Sequence, residues 1–526
     1  MELFAQFERT AASQPDKPAI IYFSKRTGAW ERTTYRSLFD QTQRFISGLQ
    51  ACSLTPGAVA VVMTPPSAEF FPFALALLKF GIVPVVFDPA LGLKKVGEII
   101  NESKPQIYFG NRLTHALRIL FGWGKSSIKY NLTLDGLLRA SGRDAPAVQS
   151  AKPNDRIAVF YTSGSTGLPK GAVYTSANFA AQLELLQNTF RISADEIDLA
   201  AFPLYVLIDL LLGVTAVVPD ISFPVPGKTD PQKTISAIQR FNVTNMFASP
   251  VVLEILAGET RRSSNNTLTS LRRVITAGAP ATIQSQEKFR QLLDDHTDLF
   301  GIYGATETLP IAKVESREIF ALKEKTAQGA GVCLGKPIEG VTVRIIPITD
   351  EPIAGWTESL AVESNVVGEI TVQSRTTTRE YFYREEANHL SKIKFGDEII
   401  HRMGDVGYFD EQGRLWYCGR KSHRVTTQDD VMFTEQIENI FNAHPLVKRT
   451  ALVEVNRKPV LWVELARGVK TGKDEIINEL NVLAKDHRQA SQIETFIFAK
   501  RFPTDARHNS KIIREALKSL AEKRLS

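Results

Sequence analysis

A chain of 526 residues, 43% hydrophobic and 23% charged, is long enough for two or three domains with large cores, which excludes wholesale disorder. Its formal net charge of +6 is spread unevenly, with 19 Lys and Arg against 14 Asp and Glu over Lys421–Ser526. That surplus suits a phosphorylated ligand, a membrane surface or a plain solvated face; with no run of five or six basic residues, a nucleic-acid partner is not expected.

The N-terminus, MELFAQFERTAASQPDKPAI, carries acids early and no unbroken apolar stretch, so it does not read as a signal peptide. Val59–Met63 reads as a strand ahead of a helix near Ser67–Phe80, and Val83–Phe87 as a strand ahead of a helix at Lys94–Asn101. Phe70–Phe87 and Leu199–Val218 approach the length of a membrane span. Pro72, Lys79, Gly81 and Pro84 interrupt the first, however, and Pro203, Asp209 and Gly213 the second, so buried strand–helix pairs are expected in both places. Val243–Ala248 then precedes Val251–Leu256, and Arg273–Thr276 precedes a helix at Ile283–Asp294, an alternation that indicates βαβ units. Around Val341–Ile348 and Gly368–Gln373 the pattern changes to strands and turns, with a sharp turn at Phe409–Leu415 and a strand at Trp416–Cys418. Beyond Gly419 an α/β pattern of its own follows: strands at Arg449–Glu454, Val460–Leu465 and Glu494–Phe498, and a helix at Asp474–Asp486. The domain boundary is placed at Arg420–Ser422, giving residues 1–420 and 421–526. Cys52, Cys333 and Cys418 lie far apart without a CxxC pair, which fits a reducing cytosol and argues against disulfides or zinc. A cytoplasmic protein without a transmembrane segment is expected.

The most informative segment is Tyr161–Gly171, YTSGSTGLPKG. Glycines let backbone N–H groups turn toward phosphate oxygens, hydroxyls donate further hydrogen bonds, and Lys170 adds a compact positive charge. It is not a Walker A loop, which needs Gly-Lys followed by Ser or Thr. By composition alone, a Gly-rich surface turn accounts for it equally well. As a whole string it resembles the signature loop of the adenylate-forming superfamily, which contains acyl-CoA synthetases, peptide-synthetase adenylation domains and luciferases. The resemblance implies that Thr162, Ser163, Gly164, Ser165, Thr166, Gly167 and Lys170 cradle the phosphates of ATP.

It also implies partners downstream, and they occur in family order. Tyr303–Glu307, YGATE, stands at the adenine and magnesium motif. There Tyr303 would stack on adenine beside Gly304 and Ala305, Thr306 would contact the α-phosphate, and Glu307 would hold Mg2+. Gly278-Ala279-Pro280 matches the loop that borders adenine. Asp405, in HRMGDVGYFD, matches the aspartate that accepts from both ribose hydroxyls, and Arg420, in CGRKSHRV, the arginine that touches ribose and phosphate. Lys511, in PTDARHNSKIIREAL, occupies the place of the lysine that stabilises charge in the adenylation transition state. The fold implied is α/β: a large domain of helix-covered sheets with a β-rich subdomain, and a small mobile C-terminal α/β domain that closes over the nucleotide.

Acyl-CoA ligases commonly follow the Gly-Arg pair with an Asp or Lys hinge and a Gly-rich loop. Here Ser422 stands at the hinge position and no glycine occurs between Gly419 and Glu438, so the rotation that admits pantetheine lacks backbone freedom. His508-Asn509-Ser510 also precedes the lysine where Ser-Gly is usual. With AFPLYVLIDLLLGVTAVVPD (Ala201–Asp220), VVFDPALGLKK (Val85–Lys95), AGVCLGKPIEGVTVRII (Ala330–Ile346) and RHNSKI (Arg507–Ile512), these departures resemble the olefin β-lactone synthetases of bacterial long-chain hydrocarbon synthesis. Leu210-Leu211 departs from that group, which has Pro-Ala there. The likeness implies a 2-alkyl-3-hydroxy fatty acid, a carboxylic acid that is adenylated with loss of pyrophosphate; its own β-hydroxyl then displaces AMP to close a lactone. Other enzymes of a hydrocarbon-synthesis pathway would be its partners. A fatty acyl-CoA or acyl-carrier ligase, and a non-catalytic nucleotide or lipid binder, stay open as alternatives. Intact Lys170, Glu307, Asp405, Arg420 and Lys511 weigh against the second.

Overall fold

The computed structural model describes residues 2–88, 91–142, 151–162, 169–220, 226–259, 267–428, 430–504 and 511–525. Two sheets carry the large N-terminal part. One has six strands, in the order Tyr130–Leu132, Ile107–Gly110, Val59–Met63, Val83–Val86, Arg156–Tyr161 and Gly171–Thr175, and only the last pair is antiparallel. The other has 14 strands and two characters. It runs parallel from Pro18–Ser24 through Thr215–Val218, Ile197–Ala200, Asn245–Ala248 and Arg273–Thr276 to Asp298–Ala305. From Thr308–Glu315 through Val332–Pro337, Leu415–Arg420, Glu398–Phe409 and Gly368–Gln373 to Thr342–Ile346 the pairings are antiparallel.

Parallel strands are buried on both faces by crossover helices, which is why their sequences read as unbroken apolar runs. The helices Phe70–Phe80 and Pro203–Leu212 are packed in the core, with Leu75, Val206, Leu210 and Leu211 fully buried. The two segments whose length approaches a membrane span are thus interior strand–helix pairs. Among the described residues no helix is long and apolar enough to cross a bilayer. The Leu210-Leu211 departure falls within this core. Elsewhere, Tyr35–Ala51 begins where the Thr34 hydroxyl accepts from the Ser37 N–H, and it buries Tyr35, Leu38, Phe45, Ile46 and Leu49 at helical spacing. One helix is shorter than its sequence suggests. Ile283–Arg290 stops before Asp294, although buried Leu292 and Leu293 imitate a continuing apolar face. The Arg290 guanidinium folds back onto the carbonyls of Asp294, Asp295 and Thr297 and stabilises a turn instead.

The C-terminal part is a three-stranded sheet of Val447–Val455, Lys458–Leu465 and Thr495–Ala499. Helices Thr434–Asn442, Lys473–Ala484 and Arg514–Leu525 accompany it. Its apolar side chains form clusters of their own, one around Phe441, Leu452 and Leu461 and another around Trp462, Phe502 and Leu517. Thr434–Asn442 also joins this part to the large one, packing on Thr326–Ala330 and on Leu415–Arg420.

Candidate active site

The large sheet changes from parallel to antiparallel at one hairpin. Asp298–Ala305 pairs with Thr308–Glu315, the register slips between Tyr303 and Ala305, and Thr306 and Glu307 form the turn. This is the carboxyl end of a parallel strand, where α/β sheets open a crevice for ligands. Gly304 is dictated by space, because an added Cβ would lie 2.7 Å from the Cβ of Leu309. The turn is pinned from two sides. The Tyr174 hydroxyl donates to the Thr306 carbonyl at 2.7 Å, and the Thr378 N–H donates to the Glu307 carbonyl at 2.8 Å. The register Thr276–Gly301 brings the Gly278-Ala279-Pro280 loop out alongside Tyr303, with Gly278 in the left-handed region at φ 95°.

Around the Glu307 carboxylate lies a group that sequence reasoning did not identify. The Tyr381 hydroxyl donates to Glu307 Oε1 at 2.6 Å. Two ammonium groups face the Tyr381 ring, Lys170 Nζ at 5.3 Å and Lys392 Nζ at 5.2 Å from its centroid. Lys392 is buried and donates to the Thr378 carbonyl at 2.6 Å and its hydroxyl at 3.2 Å. Burial lowers the Lys392 pKa to about 7, against the opposing pull of Glu307. His401, its cross-strand neighbour, places Nδ1 3.1 Å from the Ser391 carbonyl oxygen, and burial with nearby Lys392 holds it well below the usual histidine range. Nothing in SKIKF marks Lys392 as special. It alternates as a half-exposed strand does, and it is buried where it pairs with Glu398–Phe409 and meets Thr378 and the Tyr381 ring.

In the segment Tyr161–Gly171, the Thr162 N–H donates to the Lys170 carbonyl at 2.9 Å and the Lys170 N–H to the Thr162 hydroxyl at 3.4 Å. These bonds close the neck of the loop. Ser163, Gly164, Ser165, Thr166 and Gly167 lie outside the described residues.

Asp405 and Arg420 face each other across paired strands. The Tyr303 hydroxyl donates to Asp405 Oδ2 at 2.6 Å. Arg420 Nη1 stands 3.0 Å from Oδ1 but without hydrogen-bond alignment, so that buried oxygen keeps its acceptor capacity. A buried acceptor with spare lone pairs fits a hydroxyl donor such as a ribose. Burial raises the Asp405 pKa, while Arg420, Tyr303 and Lys511 pull it back down. Lys511 therefore stands within electrostatic reach of this corner, brought there by the short bridge between Thr504 and Ile512 and by the helix Arg514–Leu525. Among the described residues no three His, Cys, Asp or Glu side chains converge as metal ligands. A cation at Glu307 would rest on one carboxylate, with phosphate and water oxygens supplying the rest, which is how Mg2+ sits beside nucleotides.

The segment that follows Arg420 is fastened to the large part. Lys421 donates to the Thr349 carbonyl at 2.8 Å and to Glu369 Oε2 at 3.2 Å. Glu369 also holds Arg402 at 2.6 Å, a pair whose side chains are each 1% exposed. Arg424 pairs with Asp350. Ser422 lies within this tethered turn, Lys421–His423.

A model of the AMP-binding enzyme family matches residues 7–382. The chain is similar to the olefin beta-lactone synthetase of Stenotrophomonas maltophilia, 37% identical across 98% of this chain and 96% of that one. It is likewise similar to the olefin beta-lactone synthetase of Xanthomonas campestris, 38% identical with the same shares covered. Its fold is that of the O-succinylbenzoate coenzyme A synthetase of Bacillus subtilis, solved with ATP and magnesium ion, at a TM-score of 0.78, 21% identity, and 98% and 99% of the two chains covered. By sequence and by fold, this chain belongs to the AMP-binding enzyme family.

Proposed function

We propose that the enzyme joins a 2-alkyl-3-hydroxy fatty acid to AMP and then lets that acid's own β-hydroxyl expel the AMP, giving a β-lactone. In the first step a carboxylate oxygen bonds to the α-phosphorus of ATP, the bond to the β-phosphate breaks, and pyrophosphate leaves. In the second the β-oxygen bonds to the acyl carbon, the bond from that carbon to the AMP oxygen breaks, and the hydroxyl proton passes to the departing phosphate. The second step gains from proximity, since an internal nucleophile reaches effective molarities far beyond those of a free one.

Identity with two olefin beta-lactone synthetases over almost the whole chain supports this reading. The observation that carries the second step is the tether after Arg420. Lys421 and Arg424 bind Thr349, Asp350 and Glu369, at the place where a thiol-accepting ligase needs a free hinge. In this reading Thr162, Ser163, Gly164, Ser165, Thr166, Gly167 and Lys170 receive the phosphates. Tyr303, Gly304, Ala305 and the Gly278-Ala279-Pro280 loop border adenine, Asp405 accepts from both ribose hydroxyls, and Arg420 reaches ribose and phosphate. Thr306 meets the α-phosphate, and Lys511 neutralises charge that grows between carboxylate and phosphorus. Glu307 holds Mg2+, which when bound offsets the charge of leaving pyrophosphate. Residues 1–420 supply all of these but Lys511, which comes from residues 421–526; the separate apolar clusters of the C-terminal part support that division. Three unpaired cysteines fit a cytoplasmic setting.

The test supplies ATP, Mg2+ and the hydroxy acid with and without coenzyme A, beside the matching acid that lacks the hydroxyl. Lactone from the hydroxy acid alone, with no need for coenzyme A, is expected. Thioester from both acids, formed only when coenzyme A is present, would sink the reading.

A further inference from the structure

The helix Arg112–Leu120 lies between Ile107–Gly110 and Tyr130–Leu132, the edge pair of the six-stranded sheet, and it buries none of its residues. Its inner side is firmly held. Asn111 and Thr114 form a capping box, His115 Nε2 stands 3.2 Å from the Leu132 carbonyl oxygen, and Arg118 covers the Tyr108 ring at 5.7 Å. The outer side is apolar: Leu113 is 67% exposed, Ile119 70%, Leu120 75% and Phe121 48%. This ridge is braced. Phe121 stacks on Trp123 at 5.5 Å, Trp123 is buried in the space that the absent side chain of Gly97 leaves, and the Gly124 N–H donates to Asn101 Oδ1 at 2.8 Å. Exposed apolar side chains on a rigid platform mark a surface that something else covers.

Charge identifies the cover. Between Glu102 and Asp135 the chain carries not one acid; Arg118 is taken up on the inner side and Lys104 lies over the Tyr383 ring at 5.6 Å, which leaves Arg112, Lys125 and Lys129 as the basic residues beside the ridge. Protein–protein interfaces are depleted in lysine. Apolar side chains flanked by basic ones are what an interfacial helix offers a lipid surface, the apolar part entering the headgroup–acyl boundary and the cations meeting phosphates. We propose that this ridge docks the enzyme on an anionic bilayer, with Leu113, Ile119, Leu120 and Phe121 as its insertion edge. The docking depends on the ridge alone and holds whichever product the active site forms.

Flotation of the full chain with vesicles tests it, using phosphatidylcholine alone and phosphatidylcholine mixed with phosphatidylglycerol. Wild-type protein should float with the mixed vesicles and lose that binding as salt rises. Ile119→Asp with Leu120→Asp should weaken partition by more than about tenfold, and Lys125→Gln and Lys129→Gln by about fivefold each on the anionic vesicles only. All four changes fall at exposed positions, so the thermal midpoint and turnover of detergent-dispersed acid should match the wild type. Equal flotation of wild type and the double Asp variant overturns the proposal. So does a wild type that ignores both vesicles and sediments as a dimer that Leu120→Asp splits, since the ridge would then be an interface between copies of the chain.

Discussion

Two of the corners where the large sheet buries carboxylates are built on opposite principles. At one, Asp405 has Arg420 at 3.0 Å and a tyrosine hydroxyl at 2.6 Å. At the other corner, Asp198 on Ile197–Ala200 meets Asp209 on Pro203–Leu212, with hydrogen bonding between them. The Asn245 amide donates to Asp198, and the nearest cation, Arg273, is spent on Glu196. Burial pushes the Asp198 carboxyl up to about 8 and Asp209 well above the carboxylate range, so the pair keeps a proton at neutral pH. Burial alone therefore does not make a ligand site. The Arg420 side chain is 41% exposed, which gives the first corner a route to solvent; Arg273 and Glu196 are sealed at 9% and 2%. A cation with solvent access distinguishes the corner proposed to take a ligand from the one whose charges are sealed inside.

Substitutions sharpen that contrast. Asp405→Ala should have the largest effect. Hydrogen bonds to a charged group are worth about 1.5–3 kcal/mol each, so losing the two ribose contacts proposed for Asp405 should cost roughly 3–6 kcal/mol in kcat/KM for ATP. A loss smaller than about tenfold in pyrophosphate release, or about 1.4 kcal/mol, would put the two corners on the same footing. Lys511→Ala should cost about 2.7–4 kcal/mol in kcat, comparable with the loss of one preorganised donor, while ATP still binds. Unchanged pyrophosphate release would remove Lys511 from the chemistry. Asp209→Asn is the control and should leave turnover alone. Its effect lies in stability. The native pair holds a proton that the unfolded chain releases above the ordinary carboxyl range. Wild-type stability therefore falls as pH rises from that range toward about 8. The Asn variant should flatten that fall in thermal unfolding measured across the same window; a profile identical to wild type would mean the pair is ionised.

The parts legible in the sequence are those where chemistry is confined to neighbouring residues. The neck of Tyr161–Gly171, closed between Thr162 and Lys170, and the turn within Tyr303–Glu307 are made by residues adjacent in the chain, so their spacing survives as a readable pattern. Strand and helix alternation was equally plain, since Arg273–Thr276 and Gly368–Gln373 form as their apolar runs indicate. What could not be read depends on pairing. Tyr381 reaches Glu307 from a distant part of the chain, and Lys392 and His401 come together where strands Lys392–Phe395 and Glu398–Phe409 align. Lys421 finds Thr349 and Glu369 far back along the chain, and no local pattern announces that. The end of the helix at Arg290 was hidden for a different reason: the arginine's carbonyl contacts oppose an apolar spacing that continues beyond it.

The tether at Lys421 and Arg424 also bears on the rhythm of the catalytic cycle. An adenylating enzyme that hands its acyl group to an outside thiol must swing its small domain between the two bond changes, and such motions run on the microsecond-to-millisecond scale and can limit turnover. Lys421 and Arg424 fasten the segment after Arg420 to Thr349, Asp350 and Glu369, and the lactone closure proposed above would need no second setting of that segment between the two bond changes. On that proposal the reactive acyl-AMP would not wait through a rearrangement in which water could reach it.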